Sequence, residues 1–367
     1  MMLSAGAIMM NATPEPRVAT VAATGPLTTS ADVSREEWDA YVKQHPNATG
    51  NHLWSWRKVY QATYHHRTEY LAARRPNGAI AGILPLVVFD HPVFGRFMVS
   101  LPFVNYGGVL ADDEIAARAL VAEATERAKW HGLKHIELRH HTQHFEHLPV
   151  KHHKVSMTLD LPRDVDVAWD GLDRKIRNQV RKAEKSGLTT EVGGGELLAD
   201  FYAVFAEQMR DLGTPVYPRQ WFEEIFRCFP EHARVVLVRH GNKAVAGAVT
   251  FAFGSSIEVP SAADLRSHRS MCPNMLLYWG IMQYAIASGI RVLDFGRSTP
   301  DEGTYRFKKQ WGATPGPMAW EYVMMSDGPL PDRSPKNSRF SSAIAIWRRL
   351  PLRITNAIGP EIVRFLP

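Results

Sequence analysis

Residues 291–313, RVLDFGRSTPDEGTYRFKKQWGA, decide how the rest of the chain is read. Val292, Leu293 and Phe295 form a short apolar run of β-favouring composition, and Gly296 ends it. A polar loop over 297–303 follows, with Pro300 and Gly303 as breakers. Tyr305, Arg306, Phe307, Lys308, Lys309 and Trp311 then set cations between aromatic rings, and Gly312 turns the chain. A buried strand ending in a loop that delivers such a cluster suits an anionic group or developing negative charge. The same residues also suit a solvated basic turn with Phe307 and Trp311 as core anchors.

Working outward, the stretch closes a recurring order of elements. Strands at 234–239 and 244–253 flank the turn at 240–243; a helix at 274–288 ends at Gly289, and the strand at 291–295 follows. Earlier, strands at 70–73 and 80–89 flank the turn Pro76-Asn77-Gly78; a helix at 115–131 ends at Gly132, and a strand at 135–139 follows. Ser34, with Glu36 and Glu37 behind it, starts another helix whose apolar stripe holds Trp38, Tyr41 and Val42. The repeat is one of structure, with no obvious sequence identity, and it predicts two similar α+β units. Their boundary is expected near Pro162, after a strand at 155–161. This divides the chain into a disordered tail rich in Ala, Thr and Pro (1–30), a first unit (31–161), a second unit (162–330) and a C-terminal tail (331–367).

A length of 367 residues suits two compact domains. With 45% hydrophobic and 22% charged residues, the chain can bury ordinary cores. Two cysteines, Cys228 and Cys272, exclude a disulfide framework, so a reducing cytoplasm is expected. The net charge of +6 suits an anionic partner such as RNA, a nucleotide-linked sugar or an acidic membrane surface. Apolar stretches such as 79–89 are too short to cross a bilayer. The opening MMLSAGAIMM lacks a cationic region, so no secretory signal is expected.

Several segments could carry chemistry. Residues 174–186 read as a helix capped by Asp173 and ended by Gly187, with Leu172, Ile176, Val180 and Ala183 on one face. Arg174, Arg177, Arg181 and Lys185 share another face. Like charges at that spacing repel unless anions neutralise them. Arginine forks bind phosphate, so Arg177 and Arg181 are candidates for contact with donor RNA or a nucleotide- or lipid-linked sugar; a solvated cationic face is the other reading. Six histidines, at 140, 141, 144, 147, 152 and 153, are irregularly spaced with no cysteine near, so a polar loop is expected rather than a zinc site. In NHLWSWRKVY (51–60), Trp54 and Trp56 do not share a helix face; one suits the core and one a cleft. In PFVNYGG (102–108), Gly107-Gly108 allows either a close backbone approach to a ligand or a plain tight turn. No Ser-His-Asp or Cys-His arrangement is evident. That fits direct attack by an acceptor amine on an activated ester or thioester, a reaction that mainly needs positioning and charge stabilisation.

The order of SWRKVY (55–60), PFVNYGG (102–108), RKIRNQVRKAEKSGL (174–188), PNMLLYWGIMQYA (273–285), DFGRS (294–298) and GTYRFKKQWGA (303–313) resembles the Fem-type transferases over residues 35–325. These are tandem acetyltransferase-like (GNAT-like) proteins that form peptide bonds on cell-wall precursors. The wording is most similar to the FemAB-related branch associated with bacterial PEP-CTERM/exosortase exopolysaccharide systems. The resemblance implies an α+β fold of two tandem GNAT-like domains with a cleft between them. It places Lys308 at the developing charge, with Phe307 walling the pocket and Tyr305 beside them. It also implies acceptor contacts by Lys58 with Arg57 adjacent, by Tyr106, and by the aromatic region Tyr217–Trp221 (YPRQW); Val259-Pro260-Ser261 lacks the tyrosine expected there. An acetyl-CoA enzyme of this fold would carry a glycine-rich loop before the later helix. Residues 262–274, AADLRSHRSMCPN, have no glycine, which fits an aminoacyl-tRNA donor.

The sequence thus predicts a cytoplasmic acyl or aminoacyl transferase acting on a cell-envelope or exopolysaccharide precursor, without cofactor, metal or DNA. A non-catalytic scaffold of polysaccharide assembly is the alternative. The tail at 343–367 mixes Ile, Leu, Trp and Phe with Arg348, Arg349, Arg353 and Arg364. That pattern suits either the headgroup boundary of an anionic bilayer or packing on the second unit, with Pro351 and Pro360 expected to break it into short helices.

Overall fold

The computed structural model describes residues 25–331 and 341–366. The first unit runs β1 (Thr28–Ser30), α1 (Arg35–Gln44), α2 (Trp56–Tyr64), β2 (Arg67–Arg74), β3 (Ile80–His91), β4 (Gly95–Val99), β5 (Leu110–Ala111), α3 (Glu114–Trp130), β6 (His135–His140) and β7 (Val150–Lys151). The second runs β8 (Val155–Asp160), α4 (Val165–Gly171), α5 (Arg174–Lys185), β9 (Leu188–Gly193), α6 (Leu198–Leu212), α7 (Arg219–Cys228), β10 (Ala233–His240), β11 (Lys243–Phe253), β12 (Ser256–Asp264), α8 (Pro273–Ala287), β13 (Val292–Asp294), α9 (Gly303–Gln310) and β14 (Thr314–Pro317). Then come β15 (Ala319–Met324), α10 (Ser341–Trp347) and α11 (Leu352–Val363).

Two sheets organise these elements. One has the order β1-β2-β3-β4-β6-β15-β7, with β5 also on β3; the other has the order β14-β8-β13-β12-β11-β10-β9. Each contains one parallel pair at the corresponding place, β4 with β6 and β12 with β13. The repeat of hairpin, helix and strand therefore generates two related sheets. The capping box at Ser34 and Glu37 starts α1 as expected. Helix α8 is buried on nearly all sides, which explains its apolar composition, and Pro273 occupies its first turn.

The sheets do not divide at residue 161. Strand β8, placed by the sequence reading in the first unit, pairs with β13 and β14 of the second. Strand β15, placed in the second, crosses back to pair with β6 and β7. Alternation of Val155, Met157 and Leu159 with polar residues identifies β8 as a strand, but period two carries no information about its partner. Other expectations also change. Thr28–Ser30, assigned to the disordered tail, pairs with β2, while residues 1–24 and the linker at 332–340 lie outside the described residues. The aromatic and cationic cluster after the 291–295 strand lies on helix α9 rather than in a turn. Pro360 does not end α11 but lies inside it.

A single hydrophobic core crosses between the units. Trp38, Trp56, Tyr60 and Phe103 of the first share it with Phe201, Trp221, Phe222 and Phe251 of the second. Trp56 packs within 6 Å of Trp221, Phe229 and Phe251. The sheets are thereby fixed against each other along a seam, and the polar site lies on that seam. On the opposite faces, α3 covers the first sheet with Leu120, Ala124 and Ala128, and α8 covers the second.

The C-terminal helices pack on the body. Thr355, Gly359 and Val363 make the inward stripe of α11, the Arg364 carbonyl meets His66 Nε2 at 2.7 Å, and Phe365 stacks on Phe94. Ile346, Ile354, Ile358 and Leu366 remain exposed.

Candidate functional site

The seam gathers polar side chains from four segments. Asn51 precedes α2, Asn105 lies in the loop after β4, Glu258 is on β12 and Asp294 ends β13. Asn51 Nδ2 donates to Glu258 Oε2 at 3.1 Å, and Asn105 Nδ2 to Glu258 Oε1 at 2.5 Å. Glu258 is half-buried and forms one wall of a narrow cleft whose other walls include Trp56, Phe103, Trp221 and Phe251. Burial, then the charge of Asp294, push the Glu258 carboxyl up to about 7; burial also raises Asp294. Two neighbouring carboxyls drawn out of water cannot both ionise freely, so the pair titrates as a unit.

The backbone is shaped around this pair. Gly296 has φ of +74°, and a Cβ there would lie 2.5 Å from Asn105 Nδ2. Asn105 reaches Glu258 because residue 296 has no side chain. Gly296 N also donates to Asp294 Oδ1 at 2.7 Å. In the facing loop, Leu101 and Phe103 adopt φ of +64° and +66°, conformations that cost about 1–3 kcal/mol each and concentrate at functional sites.

Lys308 comes to the same place from α9. It is buried, and Nζ donates to the carbonyls of Gly296 at 3.0 Å and Arg297 at 2.9 Å. Burial lowers its pKa to about 8, opposed by the charge of Asp294. Lys308 thus holds the loop after β13 and charges the seam; it does not project as a free cation. Tyr106 is buried with its ring 3.9 Å from that of His141. Its hydroxyl lies beside Asp294 and Ser156 without a well-formed hydrogen bond. Trp221 lines the cleft, and Tyr217 packs behind it against Trp221 and Phe103.

The remaining sequence candidates lie elsewhere. Phe307 is half-buried and packs on Tyr278, and Tyr305 is paired with Lys309 on α9. Arg57 is spent on the rings of Trp54 and Tyr70, and Lys58 is exposed on α2 near Cys228. On α5, Arg177 reaches Asp170 at 3.7 Å and Arg181 lies over Trp169. Gly108 gives room to His140, since a Cβ there would lie 2.1 Å from its ring; the close approach is to the protein itself. His140 Nε2 accepts from Val109 N, so Nδ1 carries the proton and donates to buried Glu321 at 2.6 Å. Glu321 also accepts from the backbone of His144 and Phe145, so a carboxylate organises this histidine loop. No metal-binding group of His, Cys, Asp or Glu occurs among the described residues.

Sequence reasoning missed Asn51, Asn105, Glu258, Arg139 and Arg297. Glu258 alternates with buried Ile257 and Val259 and so reads as a solvent-facing strand residue. Only the approach of the other unit makes that face a seam.

Residues 172–309 match the family model of the acetyltransferase (GNAT) domain. No curated protein matches the sequence. Among solved structures, that of FemX superposes with a TM-score of 0.64 at 18% identity, covering 80% of this chain and 96% of its own. The C-terminal domain of a putative lysylphosphatidylglycerol synthetase from Agrobacterium fabrum gives 0.54 at 13% identity, covering 78% and 90%. A tandem GNAT protein from the clavulanic acid biosynthesis pathway gives 0.52 at 14% identity, covering 83% and 100%. The fold is therefore α+β, with two GNAT-like units in tandem.

Lys308→Met keeps the stem and removes the ammonium. Loss of its two charged hydrogen bonds should destabilise the protein by about 1.5–3 kcal/mol in urea unfolding. An unchanged midpoint would show that the loop after β13 does not depend on Lys308.

Proposed function

We propose that the protein is an acyl or aminoacyl transferase that forms an amide (or an ester) on a cell-envelope or exopolysaccharide precursor, using an activated carboxyl donor such as aminoacyl-tRNA. The observation that carries this reading is the titratable pair Glu258 and Asp294, close to Lys308, with Glu258 lining an aromatic cleft between two GNAT-like units. An acceptor amine arrives protonated in water. Glu258, poised near neutrality, takes its proton; the freed nitrogen attacks the donor carbonyl, the bond to the donor's leaving oxygen breaks as Glu258 returns the proton to that oxygen, and the nitrogen's remaining surplus proton passes to solvent. Lys308 has three N–H donors, of which two hold carbonyls; the third serves the charge that develops on oxygen.

The connection from β12 to α8 supports a donor other than coenzyme A. It passes through a 3₁₀ turn at Arg266–Met271 without a glycine, and Cys272 caps α8 with φ of +59°. The DFGRS and GTYRFKKQWGA segments support the PEP-CTERM/exosortase-associated branch and a location on the cytoplasmic side of the envelope. Arg177, Arg181 and Lys58 remain proposed phosphate contacts from outside the cleft. The scaffold reading is favoured by one observation, the burial of Lys308 behind its two carbonyls.

Envelope polysaccharide from cells with and without the protein should differ in mass by an acyl or aminoacyl group; identical masses would favour the scaffold. In vitro, charged tRNA should support transfer while acetyl-CoA should bind weakly, and micromolar acetyl-CoA affinity in calorimetry would overturn the donor assignment. Transfer should follow a bell in pH. It rises as Glu258 loses its proton near 7 and falls as Lys308 loses its own near 8. Glu258→Gln should lower the rate by about 100-fold or more and abolish the acidic limb. An acidic limb retained in that variant would assign the base elsewhere.

We further propose that the outer face of α10 and α11 rests on an anionic membrane surface. Its exposed isoleucines lie among Arg349 and Arg353, while the inner face packs on the body, which leaves the outer face free for such a surface. The variant Ile354→Glu with Ile358→Glu should stay folded and lose binding to anionic liposomes at low salt. Equal binding by variant and wild type would place the contact elsewhere.

A further inference from the structure

Beside the carboxyl pair lies a group of donors that the transfer chemistry above does not use. Arg139 on β6 is fully buried; its Nε donates to Glu137 Oε1 at 2.7 Å, but its Nη1 has no hydrogen-bond partner among the described residues. The Arg297 guanidinium, from the loop after β13, has an equally buried Nη1 without a partner. Both guanidinium groups lie against the same indole, Trp320 on β15, at 4.3 Å and 5.5 Å from its centroid. Trp320 Nε1 is likewise buried and has no partner among the described residues. Arg139, Arg297 and Trp320, from β6, the β13 loop and β15, thus leave N–H donors unpaired in one neighbourhood, where both units meet.

Such a group is costly as it stands. A buried donor without a partner loses its hydration, and a buried guanidinium without a counter-ion costs several kcal/mol. The strain shows in Arg297, whose pKa falls to about 10 through burial and then through repulsion by Arg139. Among the described residues Glu137 is the one carboxylate in a direct ion pair with either arginine, and the Tyr322 hydroxyl shares it at 3.2 Å. Arg297 thus has no direct ion pair among the described residues.

We infer that Arg139, Arg297 and Trp320 form a binding site for a phosphate group of a substrate. A carboxylate offers two oxygens in one plane and is matched by a single guanidinium fork. Donors arriving from three elements suit a tetrahedral group with several terminal oxygens and more than one charge. The site adjoins the cleft, since Arg297 N donates to Asn105 Oδ1 at 3.4 Å and Asn105 Nδ2 donates to Glu258 Oε1 at 2.5 Å. A phosphate bound here would anchor its substrate with the reacting group near Glu258. Phosphate binding itself is independent of the transfer reading and is measured without turnover.

Titration calorimetry of the full-length protein with inorganic phosphate in chloride buffer tests the site. Phosphate should bind with millimolar or better affinity, raise Tm with concentration, and bind at least tenfold more tightly than acetate. Arg297→Gln should weaken phosphate binding by tenfold or more. Trp320→Phe keeps the aromatic face under both arginines but removes the N–H, and should weaken it several-fold with an unchanged circular dichroism spectrum. No phosphate binding by the wild type, acetate binding as tightly as phosphate, or unaltered affinity in a folded Trp320→Phe protein would each overturn the proposal. If Arg297→Gln fails to fold, Trp320→Phe decides it by the same criterion.

Discussion

Glu258 joins the two halves of the molecule. Its two oxygens are held by Asn51 and Asn105, both from the other unit, at a point where aromatic packing already fixes the sheets. A carboxyl in such a place has few states open to it. Left ionised it carries a desolvation cost; protonated, it can accept fewer hydrogen bonds from the amides. Asp294 sharpens the conflict and Lys308 eases it, so proton, carboxyl pair and ammonium are mutually dependent. The backbone around them is correspondingly specialised: glycine at 296, left-handed conformations at 101 and 103, and two loop carbonyls turned toward an ammonium.

A general relation follows between the fold and its chemistry. Neither unit alone presents a polar site; each supplies one face of a seam, and the chemistry exists where faces from two sheets meet. The matched positions of the parallel pairs, β4 with β6 and β12 with β13, put the loops after β4 and β13 opposite one another. Asn105 and the loop starting at Gly296 are the result. Strand ends that splay at such crossings commonly offer space and unpaired backbone groups to ligands.

Much of the architecture was legible in the sequence because it rests on local periodicity. Hairpins around Pro76-Asn77-Gly78 and 240–243, the helices capped at Ser34 and Asp173, and the apolar α8 all follow from short-range rules. The site was legible only in part. Lys308 and Tyr106 were found through motif resemblance, and both lie on the seam. Glu258, Asn51 and Asn105 look like ordinary strand and loop residues until a second surface covers them. Arg177, Arg181, Arg57 and Lys58 were conspicuous because their charge is dense in sequence, yet the structure gives three of them aromatic or acidic neighbours outside the cleft and leaves Lys58 exposed. Charge density along a chain reports solvation; charge that matters at a buried seam is set by tertiary contact.

The exchange of β8 and β15 has a consequence in time. As the chain leaves the ribosome, β6 must wait for β15, some 180 residues later, before its second edge is paired. The first unit thus emerges with an unfinished sheet edge, a long-range pairing of the kind that slows folding and exposes strands to wrong partners. The exchange also ties completion of each sheet to the other, so neither half is a finished body until the whole chain through Met324 has been made.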